Sequence, residues 1–257
     1  MLTKRAVVGS SLLVVLFSLT SFPVPAGPRP PAATSTPIEA AIDKLRARFP
    51  NQIVVGFEEL WEERPDTEPS VDLGPRDANL QQVVARIRRD NPQYKLDLLE
   101  GGLVHAYPAH GTADPPGLLD LHLTEFFLPP DDCVAQQFLN MVSPMTIFSY
   151  TPELSTYLWE HKAAWYRAHA MQPEGIAGDF MGDCQPSRNR REPIYHNITV
   201  RQALNIMATR SLRVANGKVP ATGTEGFKAK PISWKYRFRR EADSNTGLGG
   251  TPLFQTF

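Results

Sequence analysis

Apolar residues recur along this chain with two periods. The helical period appears three times: Ile38, Ala41, Ile42, Leu45 and Phe49; then Leu80, Val83, Val84 and Ile87; then Val200, Ala203, Leu204 and Met207. Each stripe follows a residue able to cap a helix, Thr36, Asn79 and Thr199 respectively. Pro37 suits a first helical position, and Pro50-Asn51 and Asn91-Pro92 suit helix ends. The strand period appears between them. "QIVVGFEEL" centres on β-branched Ile53, Val54 and Val55, and Val71 and Leu73 alternate as a short strand. "YKLDLL" and "LVHAYP" flank Glu100-Gly101-Gly102 as a hairpin, and "LLDLHLTEFFLP" reads as a further strand. Near the end, Ile194 to Ile198 form a short strand, and "ISWKYRFR" alternates Ile232, Trp234, Tyr236 and Phe238 with polar partners.

Two stretches lack this rhythm. Residues 129–193 hold several prolines, the long irregular loop "QPEGIAGDFMGDCQPSRNRREP" and one helical pattern, "PELSTYLWEHKAAWYRAHA". Residues 241–257 are Gly-rich and read as irregular. The expected fold class is therefore α+β: small sheets each covered by helices, strand–helix–strand units used twice, and an irregular insertion between them.

The front end changes the compartment. Lys4 and Arg5 precede an apolar run from Ala6 to Phe22, and Val24-Pro25-Ala26 offers a small-residue cleavage site. That order predicts a secretory signal peptide over residues 1–26; the competing reading is an uncleaved anchor, since the run is near the lower length for a span. Residues 27–36 continue as a Pro-rich disordered leader, in a chain with 24 prolines among 257 residues. Localisation is expected to be exported, either periplasmic or secreted, with no transmembrane segment left after signal removal. The full chain has 27 basic and 27 acidic residues, and losing Lys4 and Arg5 leaves 25 against 27. Such a balance exerts no global pull on nucleic acid, which is not expected as a partner.

Cys133 and Cys184 are the two cysteines. In an exported chain a single disulfide is the expected pairing; a metal or redox role has less support without a CxxC pair or a third cysteine.

"RDANLQQVVARI" and "HNITVRQALNIM" place cap, Gln and stripe alike, with Asn79 and Thr199 120 positions apart (199 minus 79). Together with "VDLGPRDANLQQVVARI", "YKLDLLEGGLVHAYP", "IYHNITVRQALNIM" and "ISWKYRFR", these pieces resemble the short domain found at the N-termini of secretins and TonB-dependent receptors (STN-like). The resemblance covers about half of the chain after residue 26. It implies a small α+β module that works by contacts in the cell envelope, and it brings no catalytic residues. The long Cys-containing insertion departs from the family pattern, and no secretin channel or receptor barrel follows, so pore formation and transport are not implied. The expected organisation is an STN-like unit over 37–128, the insertion over 129–193, a second strand–helix–strand unit over 194–240, and the tail over 241–257.

Candidate chemistry is sparse. His105, His110 and His122 lie in a short span near Asp114 and Asp120, which could offer imidazole and carboxylate ligands to Zn²⁺, but no HExxH spacing accompanies them. His161 and His169 are two turns apart on one helix, too far for one ion. Asp179 and Asp183 lack the spacing of a Ca²⁺ loop. No phosphate-binding glycine loop and no GxSxG elbow are present. "NIT" at Asn197 matches a glycosylation sequon, although Thr199 has a competing role as a cap. Trp159 and Trp165 on the insertion helix serve either packing or partner contact. Arg237 and Arg239 on the last strand serve either as a solvated face or as a surface for an acidic partner.

The expected function is a non-catalytic exported envelope protein acting as a protein-interaction module, with no cofactor and with an envelope or secreted protein as partner. Contact is assigned to Trp159, Trp165, Arg237 and Arg239. The alternative is an exported metal-dependent hydrolase with its site near His105, His110 and His122. The sequence leaves the oligomeric state and the pairing of the two halves open.

Overall fold

Thr36 accepts a hydrogen bond from the Glu39 N–H at 3.3 Å, and Pro37 follows with its φ already set for a helix, so the first helix begins where the stripe begins. In the computed structural model, residues 36–60, 69–128, 152–154, 156, 157, 160, 194–220, 230–240 and 250–256 are described, the last stretch and Arg239 by their backbone. They belong to one unit, Thr34–Phe257. In chain order the elements are α1 (Pro37–Arg48), β1 (Val54–Glu59), α2 (Leu80–Asp90), β2 (Tyr94–Leu99), β3 (Leu103–Pro108), β4 (His122–Phe127), β5 (Ile194–Thr199), α3 (Val200–Ala215), β6 (Trp234–Arg240) and β7 (Gly250–Thr256). Residues 152–154, 156, 157 and 160 are also helical, within the helix expected in the insertion.

Five strands form one mixed sheet in the order β2-β3-β1-β6-β7, and β4 and β5 form a separate antiparallel pair. β1 lies at the centre, parallel to β3 on one side and to β6 on the other. Both outer strands are antiparallel to their neighbours. Parallel strands are ordinarily covered on both faces, and every residue of β1 is buried. Strands from the two sequence units thus pair in both sheets: β6 of the second unit pairs with β1 of the first in the five-stranded sheet, and β5 pairs with β4 in the two-stranded one.

The strand period of two sorts the core into two clusters. Val55, Phe57, Val104, Ala106 and Leu96 face α1 and α2, whose Ile38, Ile42, Leu45, Val83 and Ile87 complete that layer. Val54, Leu103, Trp234, Tyr236 and Phe238 face the other way, toward α3 with Leu204, Met207 and Leu212, and toward Leu118, Leu119, Leu123 and Phe126. The hairpin between β2 and β3 turns through Glu100–Gly102, and a Cβ on Gly102 (φ +82°) would stand 2.5 Å from the Gln52 carbonyl oxygen. Only glycine permits that approach with that backbone.

Three expectations are corrected. Val71 and Leu73 alternate in the sequence yet form no strand, because their carbonyls go to side chains: Lys44 donates to Val71 O at 3.1 Å, and Arg48 donates to Leu73 O and Pro75 O. The Gly-rich tail contributes a strand, β7, in which Pro252 lies opposite Phe238; β7 is an edge strand, where a sheet accommodates proline. The two capped helices do not head equivalent units. A strand leads into α3, an irregular segment leads into α2, and the strand after α3 is an inner one whereas the strand after α2 is an edge. What recurs is the cap: in both helices the N-cap side chain (Asn79, Thr199) accepts from the third-residue N–H, and Gln82 or Gln202 reaches back to the N-cap N–H.

Candidate functional site

β1 ends in two acids inside a buried strand, and alternation sends them to opposite faces. Glu58 and Glu59 are 4% and 1% exposed, so each carboxylate must find donors within the protein. Glu58 points to the α3 side. Its Oε1 meets His105 Nε2 at 3.0 Å, and Arg201 donates from Nε to the same oxygen and from Nη2 to Oε2 at 3.2 Å. Arg201 also donates from Nη1 to Asp120. Burial pushes the Glu58 carboxyl up, but the hydrogen bonds from His105 and Arg201 and the Arg201 charge outweigh it and hold the group below its ordinary value. Arg201 is held charged in turn: burial works against the cation, and Glu58 and Asp120 more than offset it.

A cation in the first turn of a helix is electrostatically misplaced, since that end carries partial positive charge. Here the local backbone removes the conflict. The Val200 N–H donates to Leu121 O at 3.0 Å, the Arg201 N–H to Leu119 O at 2.9 Å, and the Gln202 N–H to Thr199 Oγ1 at 3.2 Å. The first-turn donors are therefore engaged, and the Arg201 side chain is left to bridge Glu58 and Asp120.

The loop supplying those carbonyls is organised by Asp114. Its carboxylate accepts from the Leu119 N–H and from the Tyr236 hydroxyl, and its own N–H donates to Thr112 Oγ1 at 3.0 Å. Burial pushes the Asp114 carboxyl above its ordinary value, although both hydrogen bonds oppose the shift. Burial and Asp114 push the Tyr236 phenol far up, and Tyr157, whose hydroxyl donates to Pro116 O at 3.0 Å, is pushed up to about 12 by burial and by Asp114.

Glu59 faces α1. Arg237 donates from Nε to Glu59 Oε2 at 2.6 Å, Lys235 lies 3.7 Å from the same oxygen, and Lys235 also pairs with Glu39. Glu39 serves twice: its backbone N–H donates to the Thr36 cap, and its carboxylate accepts from Lys235 across 196 residues of sequence.

The sequence-derived candidates disperse. His105 is buried against Glu58, with Trp234 and Tyr107 rings 5.7 and 5.2 Å away. His122 is exposed and 3.2 Å from Asn197 Oδ1, and His110 is exposed. Among the described residues no three His, Cys, Asp or Glu side chains are grouped to hold a metal ion. The Arg237 guanidinium, expected on an open basic face, is turned inward by Glu59. The side chain of Arg239, and all of Cys133, Cys184, Trp159 and Trp165, lie outside the described residues. No described helix is long and apolar enough to cross a membrane.

Two of the open grooves among the described residues lie along α3 and α2. One, of about 440 Å³, runs between α3 and the β4–β5 pair and is lined by Leu128, Tyr195, Ile206, Arg210 and Arg213 among others. The other, of about 890 Å³, follows α2 along Asn79, Gln82, Arg86 and Arg89. Neither is lined by Glu58, His105 or Arg201.

Sequence reasoning passed over Glu58 and Arg201, and met Asp114 only as a possible Zn²⁺ ligand, whereas its carboxylate accepts from Leu119 and Tyr236. The available signals were two consecutive acids closing an otherwise apolar central strand, and a cation at the wrong end of a helix. The molecule these features define is a mixed α/β protein: helices packed on both faces of a mixed sheet, a separate two-stranded sheet, and buried ion pairs closing the faces. No family model, no curated protein and no solved structure matches the chain.

Proposed function

We propose that this is a non-catalytic, exported protein of the cell envelope that acts by binding other proteins. The observation that carries this reading is how Glu58 is used. Both of its oxygens accept hydrogen bonds from His105 and Arg201, and Arg201 is drawn onward to Asp120. A general base or a metal ligand needs a lone pair directed at a substrate or ion. Here the central carboxylate ties β1, β3, α3 and the 112–121 loop together, which is structural work. The basic and apolar N-terminal segment supports export, and the STN-like sequence pattern supports a role in contacts. Trp159 and Trp165 remain the proposed aromatic contacts.

The test combines recovery and composition. The chain carrying an affinity tag, cross-linked in its own envelope extract, should recover a defined partner identified by mass spectrometry, and Trp165→Ala should reduce that recovery. Elemental analysis of the same protein should find no stoichiometric transition metal. A bound metal at one equivalent, lost on His105→Ala, would overturn the reading in favour of a metal-dependent hydrolase.

A further inference from the structure

β2 is the outer strand of the five-stranded sheet, and its hydrogen-bond parity can be read from its neighbour. The Ala109 N–H donates to the Gln93 carbonyl at 2.8 Å, one step beyond the Tyr94–Pro108 pair. Antiparallel ladders alternate, so Lys95–Tyr107, Asp97–His105 and Leu99–Leu103 are the pairs that exchange bonds within the sheet. Leu96 and Leu98 therefore direct their N–H and C=O outward, at an edge where no other described strand pairs. The same strand carries Leu98 at 39% and Leu99 at 43% exposure, two of the exposed large apolar residues of the described chain. Such an edge is a template for another strand unless something blocks it.

Lys95 and Asp97 decide which strand fits. They flank Leu96 symmetrically on one face of the sheet, Lys95 exposed and Asp97 half-buried with its Oδ2 accepting from Tyr107 Oη at 2.7 Å. Most incoming strands would bring an uncharged or like-charged residue against them. An antiparallel copy of β2 itself, centred with Leu96 opposite Leu96, brings Asp97 opposite Lys95 and Lys95 opposite Asp97. That register makes Leu96 a bond-exchanging pair and makes both Lys–Asp pairs non-hydrogen-bonded ones, where facing side chains stand closest. It also sets Leu98 against Tyr94 of the second copy. Centring one residue either way puts Lys95 against Lys95 or Asp97 against Asp97, which like-charge repulsion disfavours.

We propose that β2 pairs with β2 of a second copy in this register, joining the two five-stranded sheets across a two-fold axis. The contact is isologous: one patch is complementary to itself, so the assembly closes at two copies. It rests on the interaction reading above and narrows it, since the strand edge recognises this chain rather than an unrelated peptide.

Sedimentation equilibrium of the purified full chain reads the association directly. The wild-type chain should show a monomer–dimer equilibrium. Lys95→Asp and Asp97→Lys, each converting two attractive pairs to repulsive ones, should each raise the dimer Kd by about tenfold or more. Mixing the two variants should restore association, because Asp at 95 and 97 of one chain then meets Lys at 95 and 97 of the other. Circular dichroism on each variant separates loss of fold from loss of pairing, and recovery in the mixture cannot come from a misfolded chain. A monomer at all concentrations overturns the proposal while leaving partner recovery from envelope extract as a separate result. A dimer indifferent to Lys95→Asp, or a mixture no tighter than either variant, overturns it as well.

Discussion

The two faces of the sheet use one kind of helix and differ in chemistry. α2 and α3 begin with the same reciprocal cap and carry similar apolar stripes, yet α2 packs with α1 on an almost wholly apolar layer whereas α3 covers a layer that includes Glu58, His105, Asp114 and Tyr236. The α1 and α2 face gathers its buried charges in one corner, where Glu39, Glu59, Lys235 and Arg237 meet. The α3 face routes its charges through the centre, from β1 through Arg201 to the 112–121 loop. A face of the first kind is held by packing volume. A face of the second kind is held by packing and by donors that must be supplied in matching number. The difference makes distinct predictions about what breaks each face.

Removing volume from the apolar face should cost most. Phe57 is fully buried beneath α1 and α2, with the Tyr94 ring 5.7 Å away. Phe57→Ala should destabilise by about 4 kcal/mol, as truncation of a packed core aromatic does. Urea unfolding measures it, and a loss no larger than that of a surface substitution would mean that the face is not packed as described. The effect should be the same at neutral and acid pH, because no ionisable group is touched.

The α3 face should respond to charge and to pH. Arg201→Ala leaves Glu58 buried with His105 as its remaining donor, and the expected loss is about 3 kcal/mol, the lower range for breaking a buried pair because Arg201 is partly solvated. The Glu58 carboxyl is held below its ordinary value in the folded state. Its contribution is therefore complete above the unfolded value near 4.5 and is lost as pH falls through the lower folded value. Glu58→Gln should unfold more easily than the wild type at neutral pH and should lose less stability on acidification. Paired urea titrations at the two pH values check both signs, and parallel acid limbs for wild type and variant would remove Glu58 from the account.

Between the faces, Gly56 tests how tightly the α3 layer is filled. A Cβ at Gly56 would lie 2.7 Å from the Trp234 ring, whose Nε1 is fixed by Asn205 Oδ1 at 3.0 Å. Gly56→Ala should cost about 2 kcal/mol by overpacking and should shift Trp fluorescence, since the indole must move.

How much of this was legible follows from the range of the interactions. The three helices, their caps and the strands β1, β2, β3 and β6 are set by residues within a few positions of one another, and the apolar periods display them. The segment at Val71 and Leu73 has a strand's alternation, but whether a strand forms depends on where its carbonyls find donors, and Lys44 and Arg48 lie on another element. The strand β7 has weak local preference and exists because β6 offers it an edge. The Glu58 network links positions 58, 105, 120 and 201, so no window along the chain contains it. What the window does contain is the anomaly each member creates locally, a buried acid or a cation at a helix start.

The caps give the smallest effects and the cleanest comparison. Asn79 Oδ1 accepts from the Gln82 N–H at 3.0 Å, and Thr199 Oγ1 accepts from the Gln202 N–H at 3.2 Å, so the two boxes are chemically alike. Asn79→Ala and Thr199→Ala should each cost about 1 kcal/mol. The surroundings differ, however. At α3 the neighbouring N–H groups of Val200 and Arg201 donate to the 119–121 carbonyls, so loss of the Thr199 cap also loosens the turn from which Arg201 reaches Glu58. At α2 the cap stands beside an exposed groove, and the ion pairs nearby, Arg86 with Asp72 and Asp90, lie on the solvent side of the helix. A double-mutant cycle should therefore find Thr199→Ala coupled to Glu58→Gln, with an interaction energy of at least about 0.5 kcal/mol. The same cycle between Asn79→Ala and Glu58→Gln should be additive. Equal coupling at the two caps would mean that the faces are held in the same way, and the distinction between them would fail at its most local point.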